Sequence, residues 1–229
     1  DIVLRNEGNV RATEDIFTKV SDSEQGGNIN IEANNLFVTN GSQISASTFG
    51  NGDAGKVDIK VVDTVTFDGV SSDGFASGAI SAVGEGAAGN ARGVAITTGS
   101  LKVTNGAQLS VITLGQGNVE AIDITANNVV FDGVSTNGFS GAFSIVGARA
   151  EGKAGGVNIT SSSIEVINGA QIYSNTQGQG TAGNISIKTE SPLIISEDSK
   201  ISTFTESGIA DRGNIIITYS ETIDIIGSG

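Results

Sequence analysis

A small residue followed by an apolar–polar–apolar triplet recurs along the whole chain. It appears as Gly27-Asn28-Ile29-Asn30-Ile31, Gly55-Lys56-Val57-Asp58-Ile59, Gly93-Val94-Ala95-Ile96 and Ala121-Ile122-Asp123-Ile124. It continues as Gly156-Val157-Asn158-Ile159, Gly183-Asn184-Ile185-Ser186-Ile187 and Gly213-Asn214-Ile215-Ile216-Ile217. The first apolar positions, 29, 57, 94, 122, 157, 185 and 215, are separated by 28, 37, 28, 35, 28 and 30 residues. A period in this range is the mark of a solenoid, because one such unit cannot bury its apolar face without a neighbour stacked on it.

The units come in two kinds. Short units carry Val38-Thr39-Asn40-Gly41-Ser42-Gln43-Ile44, Val103-Thr104-Asn105-Gly106-Ala107-Gln108-Leu109 and Val166-Ile167-Asn168-Gly169-Ala170-Gln171-Ile172. Two long units carry Phe67-Asp68-Gly69-Val70-Ser71 with Gly74-Phe75, and Phe131-Asp132-Gly133-Val134-Ser135 with Gly138-Phe139. Each short unit holds three alternating apolar runs, such as Ile29/Ile31, Leu36/Val38 and Ile44/Ala46/Thr48. Alternation means half-buried strands. Three strands in 28 residues leave no room for a crossover helix, so strands of successive units stack on their own equivalents, parallel and in register.

These features predict an all-β chain folded as a right-handed parallel β-helix, the hand following the preference of parallel crossovers. About eight coils of three strands are expected, the last incomplete, in a rod roughly 35–40 Å long at ~4.8 Å per coil. The chain reads as a single β-helix fragment over 1–229, with 1–26 a partial first coil, 27–217 the repeats and 218–229 the start of a further coil. Ile16, Thr18 and Val20 lie 28 residues before Ile44, Ala46 and Thr48 and belong to that first coil. Neither end shows the polar cap that solenoids need. Asn-Gly is expected at sharp corners because both residues tolerate positive φ, with the Asn side chains stacked and bonded along the axis.

Composition narrows function. The net charge of −13 repels phosphate backbones and anionic bilayers, which argues against nucleic-acid partners. No stretch approaches the ~18–20 apolar residues of a membrane span, so membrane insertion is not expected. Cys and His are both absent, which removes disulfides and thiolate or imidazole chemistry.

The run from Gly27 to Gly50, together with the recurring Asn-Gly-Ala-Gln element, resembles the repeats of filamentous-haemagglutinin-like exoproteins, and most of all the cyanobacterial members exported by two-partner secretion. The resemblance covers about 27–217 and implies an extracellular or cell-surface rod involved in adhesion or matrix building. Partners would be a cell surface, a glycan or matrix component, or neighbouring rods. Family members also carry a secretion domain with Asn-Pro-Asn motifs, which this sequence lacks, its single Pro being Pro192.

No catalytic residue is expected. Asp58 and Asp123 fall two coils apart on one outward column, roughly the 9–10 Å that strand stacking gives, near the carboxyl separation of inverting glycosidases. No His and no aromatic platform accompany them, so they read as solvated surface carboxylates. A carbohydrate-binding or polysaccharide-degrading module is the alternative. No cofactor is expected beyond adventitious calcium. Asp53, Asp68, Asp73, Asp132 and Asp211 sit in Gly-rich turns, but the calcium-binding nonapeptide does not occur. The segments 68–76 and 132–140 are expected to project as longer loops from one edge, with Phe75 and Phe139 capping apolar surface at that corner. Loops on a rigid scaffold carry recognition, so Asp68, Asp73, Phe75, Asp132, Asn137 and Phe139 are the candidate recognition residues.

Overall fold

The computed structural model of the chain describes residues 2–12, 14–20, 24–136, 138–191, 193–196, 198–206 and 211–219. Among them there is no helix, and the strands stack as a parallel β-solenoid of about seven turns. Coils 1 to 6 open with the long strands Ile2–Ala12, Ile29–Thr39, Val57–Asp68, Val94–Thr104, Ile122–Asp132 and Val157–Ile167. Coil 7 opens with Ile185–Thr189 and Leu193–Ile195, and Ile215–Tyr219 begins an eighth. Coils 1 to 7 return through short strands, Ile16–Val20, Gln43–Thr48, Gly78–Val83, Gln108–Thr113, Gly141–Val146, Gln171–Thr176 and Lys200–Thr205.

The predicted column of anchors is present. Ile29, Val57, Val94, Ile122, Val157, Ile185 and Ile215 pair one with the next in register. All but the last are fully buried. Ile16, Thr18 and Val20 pair with Ile44, Ala46 and Thr48, as the spacing of 28 requires. The first two alternating runs of each unit differ from expectation in one respect. They run on as a single strand of 11 or 12 residues. The bend within it lies where inward positions change phase, Ala33 and Leu36 being buried three residues apart.

Corners follow from backbone chemistry. Asn40, Asn105 and Asn168 have φ of 59, 54 and 55°, and the following Gly41, Gly106 and Gly169 have φ of 81, 86 and 80°. Two successive positive φ values make a type I′ turn, closed by Ser42 N–H to Thr39 O at 3.2 Å and its equivalents at Ala107 and Ala170.

The opposite corner is closed by glycine and by small hydroxyls. Gly52, Gly89, Gly117, Gly152 and Gly180 stack so closely that a Cβ on each of the last four would overlap the carbonyl of the glycine one coil below. Inward hydroxyls then tie the short strands to the start of a coil, Ser81 to that of its own and Ser144 and Ser174 to that of the next. Ser81 Oγ donates to Gly55 O (2.9 Å), and Gly156 and Gly183 N–H donate to Ser144 and Ser174 Oγ (3.0 and 2.9 Å). Serine suffices there because each hydroxyl is matched to one backbone group, which keeps a buried polar atom inexpensive.

Candidate functional site

The expected longer segments project from one edge, at the corner between long and short strands. In coil 3 the excursion is pinched at its neck, Ser77 N–H donating to Gly69 O at 2.9 Å and Ser77 Oγ to Asp68 O at 2.7 Å. In coil 5 the neck repeats, Ser140 N–H to Gly133 O at 3.0 Å and Ser140 Oγ to Asp132 O at 2.7 Å. Both excursions are antiparallel hairpins, marked by Val70 against Ala76 and by Val134–Ser135 against Gly138–Phe139.

The neck serines also lock the corner one coil away. Gly41 N–H donates to Ser77 Oγ and Gly106 N–H to Ser140 Oγ, both at 2.8 Å. The hairpins thus alternate with Asn-Gly corners and lean on them. The side chains of Ser135 and Val134 occupy the space that a Cβ on Gly106 and Gly169 would need, with Val70 close beside Ser135 at Gly106. Ser135, Val70 and Val134 therefore pack over these glycines, Val134 remaining 50% exposed. Phe75 and Phe139 are 63% and 43% exposed. The valines escaped notice because Val is ordinary in a β-rich sequence, and only the coil register puts it over a glycine.

Two of the candidate carboxylates are spent on the scaffold. Asp68 Oδ1 accepts from Thr104 Oγ1 at 2.6 Å and from Asn105 Nδ2 at 2.7 Å, and Asp132 Oδ1 accepts from Asn168 Nδ2 at 2.6 Å. Asn105 and Asn168 thus bond to aspartates one coil back and not to each other, since Asn-Gly corners occur only on alternate coils here. An asparagine ladder does exist, but at the opposite corner. Asn118 N–H donates to Asn90 Oδ1 at 2.9 Å, and Lys153 N–H to Asn118 Oδ1 at 3.0 Å.

Asp53 continues that ladder downward. Its Oδ1 accepts Asn90 N–H at 2.8 Å, and its Oδ2 lies 2.8 Å from Arg92 Nη2. The Asn90 backbone N–H, and after it Arg92, hold the Asp53 carboxyl below its ordinary range against the opposing effect of burial. Among the described residues no group of three or more His, Cys, Asp or Glu is disposed to hold a metal ion.

Of the candidates still exposed, Phe139 lies on the second hairpin, and Asp73 and Phe75 sit together on the first. Asp73 and Phe75 face an open groove of about 540 Å³ between the first hairpin, the Asn40–Gln43 corner and coil 1. Coil 1 supplies Glu14, Asp15 and Phe17, residues not singled out from the sequence. Phe17 is 60% exposed across the groove from the hairpin. Three residues separate Ala12 from Ile16, whereas five separate their partners Val38 and Ile44 in coil 2. Asn137 lies outside the described residues.

Asp58 and Asp123 do fall on one outward column with Ala95 between them. Asp58 is paired with Lys60 at 3.0 Å, and Asp123 Oδ1 accepts from Asn158 Nδ2 at 2.8 Å. Comparison with protein-family models, with curated proteins and with solved structures finds no match to this chain.

Proposed function

We propose that the protein is a non-catalytic structural and adhesive rod of a secreted or cell-surface bacterial exoprotein, of the filamentous-haemagglutinin-like kind, whose recognition surface is the hairpin edge. The observation that carries this reading is the division of labour at that edge. Asp68, Asp132, Ser77 and Ser140 are bonded into the coil stack, while Asp73 and Phe75 face a groove. A scaffold that holds its own loops rigid and leaves their tips exposed suits binding to a surface. The lining of two phenylalanines and three carboxylates, without a cation among the lining residues, favours a neutral glycan or a cationic matrix component over a polyanion.

A carbohydrate-degrading module is the competing reading, carried by the Asp58–Asp123 column. Incubating the purified protein with a panel of polysaccharides and with a glycan array separates the two. Retention on a glycan, cell surface or matrix component without new reducing ends or unsaturated products supports the rod. Depolymerisation that disappears in Asp58→Asn or Asp123→Asn overturns it.

A further inference from the structure

The outer face of the short-strand sheet carries an arrangement of charge unlike the rest of the rod. Its outward positions in coils 2 to 6 follow from the register and its one-residue extension. They are Gln43, Ser45, Ser47 and Phe49; Gly78, Ile80, Ala82 and Gly84; Gln108, Ser110, Ile112 and Leu114; Gly141, Phe143, Ile145 and Gly147; Gln171, Tyr173, Asn175 and Gln177. None is ionisable at neutral pH, in a chain with 16% charged residues and a net charge of −13. The long-strand sheet, by contrast, presents Asp58, Lys60, Lys102, Asp123, Glu165 and Lys188 outward.

The neutral face is also apolar and in contact with solvent. Phe49 and Leu114 are 52% and 44% exposed, and Ile80, Ile112, Ile145 and Tyr173 are half-buried. Phe143, itself buried within the chain, stacks on the half-buried Tyr173 with ring centroids 4.4 Å apart, and Phe204 of coil 7 follows Tyr173 at 6.1 Å. Charge returns at the two ends of the face, as Asp15 and Lys19 in coil 1 and as Lys200 and Glu206 in coil 7.

We propose that this face packs against the same face of a second copy of the chain, the two rods side by side and pointing the same way. The occupant is argued from charge and from area. A strongly acidic chain opposes its own copy everywhere except across a neutral face. A two-fold axis parallel to the rod reverses the strands and keeps coils level. It sets Lys200 against the partner copy's Glu206 and Asp15 near its Lys19, and opposes Ile112 to Ser110. Coils 3 and 5 meet through glycines at the borders, Gly78 against Gly84 and Gly141 against Gly147, so the sheets approach closely. The hairpins of the two copies fall on opposite borders and do not collide. Seven strands at ~4.8 Å and about seven residues at ~3.3 Å give a footprint of roughly 750–800 Å² per copy. That matches the ~800 Å² per partner of a stable interface. The association is independent of what the hairpin edge binds.

Sedimentation equilibrium of the purified chain over a concentration series tests this. The expected result is a monomer–dimer equilibrium, weakened at least about ten-fold by Ile112→Lys or Ser110→Glu, with far-UV circular dichroism unchanged. At low ionic strength Lys200→Glu and Glu206→Lys each weaken it about three-fold, and the double exchange restores it. The outward Thr125→Lys, on the other sheet, leaves it unchanged. A chain that stays monomeric through the millimolar range overturns the proposal, as does a dimer indifferent to Ile112→Lys and Ser110→Glu. A dimer sensitive to those two but indifferent to the charge exchange overturns the parallel arrangement.

Discussion

Asn105 Nδ2 lies 2.7 Å from Asp68 Oδ1, joining a corner of one coil to the carboxylate that ends the long strand of the coil before it. The same bond recurs two coils later between Asn168 and Asp132 at 2.6 Å. These aspartates therefore belong to the stack and not to a ligand site. Asp68→Ala, which removes the acceptor of both Thr104 and Asn105, should destabilise the protein by about 1–3 kcal/mol. Urea denaturation reads that loss, and binding at the hairpin edge should persist below the denaturation midpoint.

The inward apolar positions and the stacked glycines fail in different ways. Ile124, only 2% exposed, leaves a cavity when truncated, and Ile124→Ala should cost about 2–5 kcal/mol. Gly117 has φ of +133° and lies on the Gly89 carbonyl, so Gly117→Ala forces two coils apart. By overpacking and backbone strain together it should cost at least about 2 kcal/mol. Thermal denaturation of the two variants measures both.

Threonine is a poor choice at two inward positions. The hydroxyls of Thr113 and Thr176 are buried without a hydrogen-bond partner, while Val83 and Val146 fill the same column in the neighbouring coils. Thr113→Val keeps the shape and removes the unsatisfied oxygen, so it should stabilise by about 1 kcal/mol. The midpoint of urea unfolding, at unchanged slope, checks this.

Acid should act through Asp53. Its carboxyl titrates lower in the folded chain than in the unfolded one, because Asn90 N–H and Arg92 stabilise the charged form. The stabilisation is then fully present above about pH 4, the ordinary carboxylate value, and is lost as pH falls through the lower folded value. Asp53→Asn should be less stable than the parent at neutral pH, with the gap narrowing below about pH 4. A constant difference across that range would place the acid dependence elsewhere.

The stacking was legible in the sequence because inward strand positions repeat with a period of two, and their anchors return at spacings that permit only in-register coils. The positive φ of Asn40, Asn105 and Asn168 was equally legible, being a local property of Asn-Gly. The partners of those asparagines were not. Which side chain meets Asn105 depends on Asp68, 37 residues away, and on the alternation of corner types between coils. The groove had the same difficulty. Phe17 and Phe75 line it from different coils, three residues separating Ala12 from Ile16 where five separate their partners in coil 2, and a repeat pattern hides such exceptions. The neutral outer face was invisible for a related reason. Its positions are scattered through the chain at coil spacing and never form an apolar run.

The most direct test of the adhesive reading exchanges the hairpins for the corner the protein already uses. Replacing 69–76 and 133–139 each by Asn-Gly gives the length and turn of Thr39-Asn40-Gly41-Ser42 at both places, with Asp68 and Asp132 in the position of Thr39 and Ser77 and Ser140 in that of Ser42. No inward ladder residue is lost, so the variant should remain folded, with Tm within about 5 °C of the parent. Equilibrium binding of parent and variant to the surface, glycan or matrix component that retains the parent is the decisive measurement. A folded variant whose affinity falls at least about ten-fold is the predicted result. Unchanged affinity in the folded variant would contradict recognition at the hairpin edge.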